Sequence, residues 1–193
     1  MRLDILNRGY SPKTKVLFGV VRLFSGRPLP DAAKLVFYRP DFYGDRAKEF
    51  TQEAMRGPSE WSVGDRELMA AYVSEVNGTA FCIGAHSACA RLAYQDESRV
   101  AAVLADLDAA PIEEPLRATL RMLGKLTRDG TVGADDMRKV LAAGASPKQV
   151  QDALAVCAAF NITDRLADAF GFEVLDRDGF DAGAKYLLKR GYR

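Results

Sequence analysis

The chain of 193 residues has only one His, one Trp and three Cys, and its 27 Lys and Arg are matched by 26 Asp and Glu. A single imidazole excludes any site that needs two from one chain, which removes the HExxH metalloproteases and similar multi-His metal sites. Three scattered cysteines are too few for a disulfide scaffold and suggest reduced thiols in a cytosolic compartment. A net charge of +1 gives no basic excess for nucleic acid or an anionic membrane surface. Long apolar runs are also missing. The most apolar early stretch, Val16 to Phe24, is interrupted by Gly19 and Arg22, and it is far shorter than the roughly 20 residues of a membrane span. No phosphate-binding loop, dinucleotide fingerprint or metal-ligand cluster is present, so no cofactor is expected.

What remains is helix. Nearly every segment carries the 3.6-residue period, and no alternating run bounded by turn residues demands a strand. The chain therefore reads as one all-α domain of packed helical hairpins over residues 1–193. Ser11-Pro12 starts a first helix that Gly26 and Pro28 stop, a short helix runs to Tyr38, and Arg39-Pro40 breaks it. The next helix continues to about Met55, before Gly57-Pro58. Ser62 and Asp65 form an S-x-x-D box that opens a helix ending at Asn77-Gly78, and a further helix runs from about Ala80 to Gln95. Val100, Val103, Leu104 and Leu107, then Leu116, Leu120, Leu123 and Leu126, mark two core-facing helices. A short helix around Met137 follows the seam at Gly130 to Gly133. Ser146-Pro147 with Gln149 opens another, which buries Val150, Ala153, Leu154 and Cys157, and two pieces, Asn161 to Phe170 and about Asp181 to Arg190, complete the series.

The informative stretch runs from Asp65 to Cys89. The turn at Asn77-Gly78 leaves Thr79 as the expected N-cap of the next helix, its hydroxyl accepting from the amide of Cys82. Cys82 then lies in the first turn, where free amides and the helix dipole favour a thiolate. His86, the only histidine, follows one turn later on the same face. A thiol and an imidazole so arranged are the parts of a nucleophile with a proton-transfer partner. Glu67 is the expected third group. From Glu67 to Phe81 there is no Lys or Arg, so this helix lacks an ordinary solvated face, and a carboxylate on its small-residue side needs a partner, for which His86 is the natural choice. The same residues are open to a plainer reading, as a helix-end charge, a small core residue and a satisfied core histidine. Cys89 is about 10 Å along the axis from Cys82, beyond disulfide reach, and Cys157 reads as core.

Arg66-Glu67-Leu68, Ser74-Glu75-Val76-Asn77-Gly78, Phe81-Cys82 and Ala85-His86 resemble the signature of the alkylhydroperoxidase-like (AhpD-like) branch of the carboxymuconolactone decarboxylase superfamily. There, a glutamate precedes a C-x-x-C-x-x-x-H motif by one helix. Leu126 to Asp129, Gly144 to Ser146 and Asn161 to Arg165 resemble the second half of its peroxidase-related members, so the likeness spans about residues 30–172, with helical extensions at either end.

The resemblance implies a peroxidase chemistry carried by Cys82, in the place of the peroxidatic thiol, with His86 and Glu67 as the proton relay. The first cysteine of the pair is replaced by Thr79, which cannot form the resolving disulfide, so a sulfenic acid on Cys82 would need an external thiol. Two other readings stay open: a decarboxylase-type enzyme that uses Glu67 and His86 as acid and base on a carboxylated substrate, and a non-catalytic member that binds a ligand in the same pocket. The family also implies a homo-oligomer, a trimer or hexamer, for which the aromatics Phe37, Tyr38, Phe42 and Tyr43 are candidate interface residues.

Overall fold

The computed structural model describes residues 6, 8–38 and 40–192, without the side chains of residues 24, 25 and 42. Among the described residues the architecture is all α, with ten α-helices and one π-helical turn. These are α1 (Pro12–Ser25), α2 (Asp31–Tyr38), the π-helical turn (Pro40–Gly44), α3 (Asp45–Arg56), α4 (Val63–Asn77), α5 (Ala80–Tyr94), α6 (Glu97–Ala105), α7 (Glu114–Asp129), α8 (Ala134–Ala142), α9 (Pro147–Phe170) and α10 (Arg177–Arg190).

Helix α4 is the centre of the bundle. It pairs antiparallel with α5 and packs against α9 and α7, while α10 lies along α5. The absence of Lys and Arg after Arg66 has the expected consequence: Glu75 is the one exposed residue of α4. Leu68, Met69 and Val73 are completely buried, each contributing about 1.5–3 kcal/mol of hydrophobic stabilisation. They join Trp61, Leu120, Leu123, Val156 and Phe160 in the main core. A second cluster forms around Leu35, Phe81, Cys82, Ala167 and Phe172.

Local signals place the ends of α4. The Ser62 hydroxyl accepts from the Asp65 amide while the Asp65 carboxylate accepts from the Ser62 amide, a complete capping box. At the other end Gly78 adopts φ 73°, a left-handed conformation that closes the helix and reverses the chain into α5. Gly84 has a different role. A Cβ there would collide with the Phe180 ring, so its absence lets α10 lie directly on α5.

Two boundaries differ from the sequence reading. The pieces on either side of Phe160 are one 24-residue helix, α9. No Gly or Pro interrupts it, and Asn161 is accommodated mid-helix because its amide donates to the Cys157 carbonyl at 3.0 Å and to Thr127 at 3.2 Å. Helix α10 starts four residues before Asp181, capped by Asp176, whose carboxylate accepts from the Gly179 amide at 2.7 Å. Gly179 in the first turn masked this start.

Of the aromatic group considered for an interface, Tyr38 and Tyr43 are half-buried and packed within the chain. Tyr38 packs edge-on against Phe170 at 6.3 Å, and Tyr43 joins the second cluster. Phe37 is exposed, and the Phe42 side chain, like Arg39 of the predicted break, lies outside the described residues.

Candidate active site between the central helices

Glu67 projects from α4 into the interior and is fully buried. Its Oε2 is 2.7 Å from His86 Nδ1 on α5, and its Oε1 accepts from Arg56 Nη2 at 2.5 Å and from the Tyr192 hydroxyl at 2.9 Å. Burial alone would raise the Glu67 carboxyl. The hydrogen bonds and charges of His86 and Arg56 outweigh it and hold the group below its ordinary value, so it is a carboxylate at neutral pH. Arg56, at the end of α3, is held above its ordinary value against the opposing effect of burial by Glu67.

The imidazole is clamped as firmly as the carboxylate. Phe160 of α9 meets its ring edge-on at 4.3 Å, and Tyr192 stacks near-parallel at 6.4 Å with an interplanar angle of 17°. The Arg56 guanidinium in turn lies over the Tyr192 ring at 5.0 Å. With Nδ1 donating to Glu67, the ring orientation is set and Nε2 is the nitrogen left to exchange a proton outside the pair.

Cys82 occupies the first turn of α5, as the spacing required, and is 1% exposed. Its chemistry differs from the expectation of a stabilised thiolate. Burial first, then Asp164 and Asp168, push the thiol well above its ordinary range. Two nearby carboxylates and desolvation therefore outweigh the helix dipole, which is worth only about 0.3–1 kcal/mol. Asp164, on α9, is itself fully buried. Ser74 donates to Asp164 Oδ1 at 2.9 Å and Asn77 to Oδ2 at 2.8 Å. Burial raises the Asp164 carboxyl above its ordinary value despite these donors.

Thr79 is at the N-cap position but does not cap with its side chain. The hydroxyl donates instead to Asp168 Oδ2 at 2.8 Å, which ties the start of α5 to the end of α9. Beside this bond opens a cleft of about 460 Å³, lined by Gly78, Thr79, Phe81, Asp168 and Phe172 among others. Cys82 lies one residue beyond its Phe81 wall.

Of the sequence-derived trio, Glu67 and His86 are brought into direct contact across α4 and α5, and Cys82 stands one turn before His86 on α5. Arg56, Tyr192, Asp164 and Asp168 were not anticipated. A signal existed for Asp164: it stands in the buried row of α9 formed by Val150, Ala153, Cys157, Phe160 and Ala167, where a carboxylate must find partners. Arg56 is the last residue of α3 and Tyr192 lies just beyond the end of α10, and no local pattern marks them. The remaining thiols are buried and free. Cys89, next to Glu67, is raised well above its ordinary value by burial and by that carboxylate, and Cys157 sits in the core as expected.

Solved structures share this arrangement of helices. An uncharacterized peroxidase-related protein from Silicibacter sp. TM1040 superposes with a TM-score of 0.78 over 93% of each chain at 22% identity. A second uncharacterized peroxidase-related protein, described as an alkylhydroperoxidase AhpD core, from Ralstonia eutropha JMP134, gives 0.75 over 91% of each chain at 21% identity. The chain has the AhpD-like fold. The debrominase Bmp8, solved as a cysteine-to-alanine variant in complex with 2,3,4-tribromopyrrole, shares that fold more distantly, with a TM-score of 0.67 at 14% identity over 92% of this chain and 90% of its own. No protein-family model and no curated protein sequence matches the chain. In this AhpD-like bundle, among the described residues, no helix is long and apolar enough to cross a membrane.

Proposed function

We propose that the protein is a one-cysteine, thiol-dependent peroxidase acting on hydrogen peroxide or a small organic hydroperoxide. The observation that carries this reading is a cysteine at the start of α5, one turn before a histidine locked onto a buried glutamate, in an AhpD-like fold. In the reaction the Cys82 sulfur attacks one peroxide oxygen and the O–O bond breaks. The thiol proton passes through His86, which Glu67 orients, to the departing alkoxide or hydroxide. Cys82 is left as the sulfenic acid. One external thiol then condenses with it to a mixed disulfide, releasing water, and a second frees Cys82 and leaves as the disulfide. Thr79 makes the external thiol necessary, because its position in the family motif holds no sulfur.

Incubation with cumene hydroperoxide and a sulfenic-acid trap, followed by mass spectrometry, tests this directly. An adduct confined to Cys82, with peroxide consumption that disappears in Cys82→Ser, is expected. No adduct on the wild-type thiol overturns the reading.

The upward shift of the Cys82 thiol favours a second reading, in which Glu67 and His86 alone transfer protons on a carboxylated or cyclic substrate and Cys82 is packing. Turnover of such a substrate that survives Cys82→Ser and is abolished by His86→Ala distinguishes it.

A homo-oligomer belongs to the same proposal. Val16, Leu17, Val20 and Leu23 form an exposed apolar row on α1 that a second copy would cover. Light scattering of the purified protein measures the assembly, and a monomer at micromolar concentration excludes it.

A further inference from the structure

We infer that the cleft of about 460 Å³ beside Thr79 holds the organic body of an uncharged or cationic hydroperoxide, and that Asp168 on its wall excludes anionic ones. The inference rests on the peroxidase reading above and deepens it, naming the substrate class and a residue that selects it.

Hydrogen peroxide needs no such space, whereas the volume lies within the roughly 300–1,000 Å³ of small-molecule sites. Most of the wall is apolar. Phe81 and Phe172 meet edge-on at 5.3 Å, and Ala80, Ala167, Ala169 and Val174 complete the surface. Val174 is 55% exposed, and an apolar ligand in the cleft would cover it. Phe81, Ala167 and Phe172 also pack with Cys82 in the second cluster, so the walls that would hold a ligand are walls that enclose the sulfur. Phe172 lies in the connection between α9 and α10, outside any helix, and its movement would bring the cleft to the sulfur without unpacking a helix.

The charge of the cleft has one source. Asp168 is the one ionisable side chain of the lining, which contains no Lys or Arg. Its Oδ2 accepts from the Thr79 hydroxyl at 2.8 Å, and among the described residues it has no ion-pair partner, so its charge is left uncompensated. The first amides of α5 on the same wall attract an anion, but a helix end carries about half a unit charge against the full charge of the carboxylate. Asp168 therefore sets the sign of the site. Two like charges about 4 Å apart cost a factor of roughly 5 in water, and more where a cleft excludes it.

The test compares cumene hydroperoxide with its para-carboxylate analogue in the second-order rate of Cys82 oxidation, read by sulfenic-acid trapping and scaled to the rate of each compound with a small free thiol. The wild type should prefer the neutral compound by about fivefold or more, and the gap should narrow as salt is raised. Asp168→Asn, whose amide oxygen can still accept from Thr79, should lose the preference. The ratio is what reports the cleft, because Asp168 also raises the Cys82 thiol and its removal changes both rates alike. Equal rates in the wild type, or a preference that Asp168→Asn retains, overturn the inference. Ligand-observed NMR with 2-phenyl-2-propanol, the product alcohol, and with its para-carboxylate measures the cleft without turnover. The alcohol should bind the wild type and the carboxylate should not, with the difference reduced in Asp168→Asn. A wild type that binds the alcohol yet forms no sulfenic acid sinks the peroxidase reading itself, whereas one that forms sulfenic acid but binds neither compound, or both equally, sinks only the role of the cleft and Asp168.

Discussion

His86 Nδ1 and Glu67 Oε2 are 2.7 Å apart, one on each of the two antiparallel helices at the centre of the fold, and both side chains are buried. The pair sets the histidine tautomer, and the second carboxylate oxygen is closed off by Arg56 and Tyr192. Its position makes it both a structural clamp and the proton-transfer unit of the proposed reaction.

Glu67→Gln keeps the shape of the side chain and removes its charge, leaving the Arg56 guanidinium, 10% exposed, without its carboxylate. Breaking a buried pair from one side costs about 3–5 kcal/mol. Urea unfolding followed by circular dichroism should show that loss, and an unchanged midpoint would show that the pair does not stabilise the fold.

The same carboxylate gives an acid limb to stability. Its folded value is held below the ordinary 4.5, so its contribution is complete above that value and is lost as pH falls through the folded one. Stability measured from pH 6 downward should therefore decline in this window, and Glu67→Gln should remove part of the decline.

The buried thiols act at the opposite end. Cys82 and Cys89 are both raised above the ordinary 9.0. Their contribution is complete below the unfolded value and is lost as pH rises beyond about 9, because the unfolded chain can ionise where the folded one cannot. Alkylation of Cys82 by iodoacetamide at pH 7 should be slower than that of a small free thiol, and Cys82→Ala should flatten the alkaline loss of stability.

Tyr192→Phe removes the hydroxyl that donates to Glu67 at 2.9 Å while keeping the ring against His86. A hydrogen bond to a charged group contributes about 1.5–3 kcal/mol. Thermal unfolding of the variant should report a loss of that size, with Tyr192→Ala losing more because the stack on His86 and the contact with Arg56 go as well.

Thr79→Cys places a sulfur one turn before Cys82 and so creates a C-x-x-C pattern. It also removes the bond to Asp168 that ties α5 to α9. Under the peroxidase reading, brief peroxide treatment of this variant should yield an intramolecular disulfide, seen as the loss of two hydrogens in intact mass. Accumulation of the unresolved sulfenic acid instead would show that the two sulfurs cannot approach each other.

Most helix boundaries, and the placement of two of the three candidate residues on one helix, were legible from the sequence because their causes are local. The Ser62 and Asp65 box, the left-handed Gly78 and the Ser146-Pro147-Gln149 start each act within a few residues, and the spacing of Cys82 and His86 on one helix follows from the helical repeat. The pairing of Glu67 with His86 was also accessible, since a carboxylate on a helix without basic residues needs a counterpart and the chain holds a single histidine. Thr79 shows where local reasoning stops. Its position as an N-cap is correct, but its hydroxyl donates to Asp168, brought to it by the packing of α9, instead of accepting from an amide of α5.

The state of the thiol was decided by tertiary structure alone. Helix position predicts a stabilised anion at Cys82, because the dipole is a property of the helix itself. Desolvation and the field of Asp164 and Asp168 come from a helix far along the chain, and in a buried site they overwhelm the dipole and leave the thiol protonated. Arg56 and Tyr192 close around Glu67 for the same reason, through the meeting of segments that no short-range pattern links. Sequence therefore determined most of the helices and the placement of Cys82 and His86 on one of them, and tertiary packing decided which charges surround the sulfur, because those charges come from segments that no short-range pattern links.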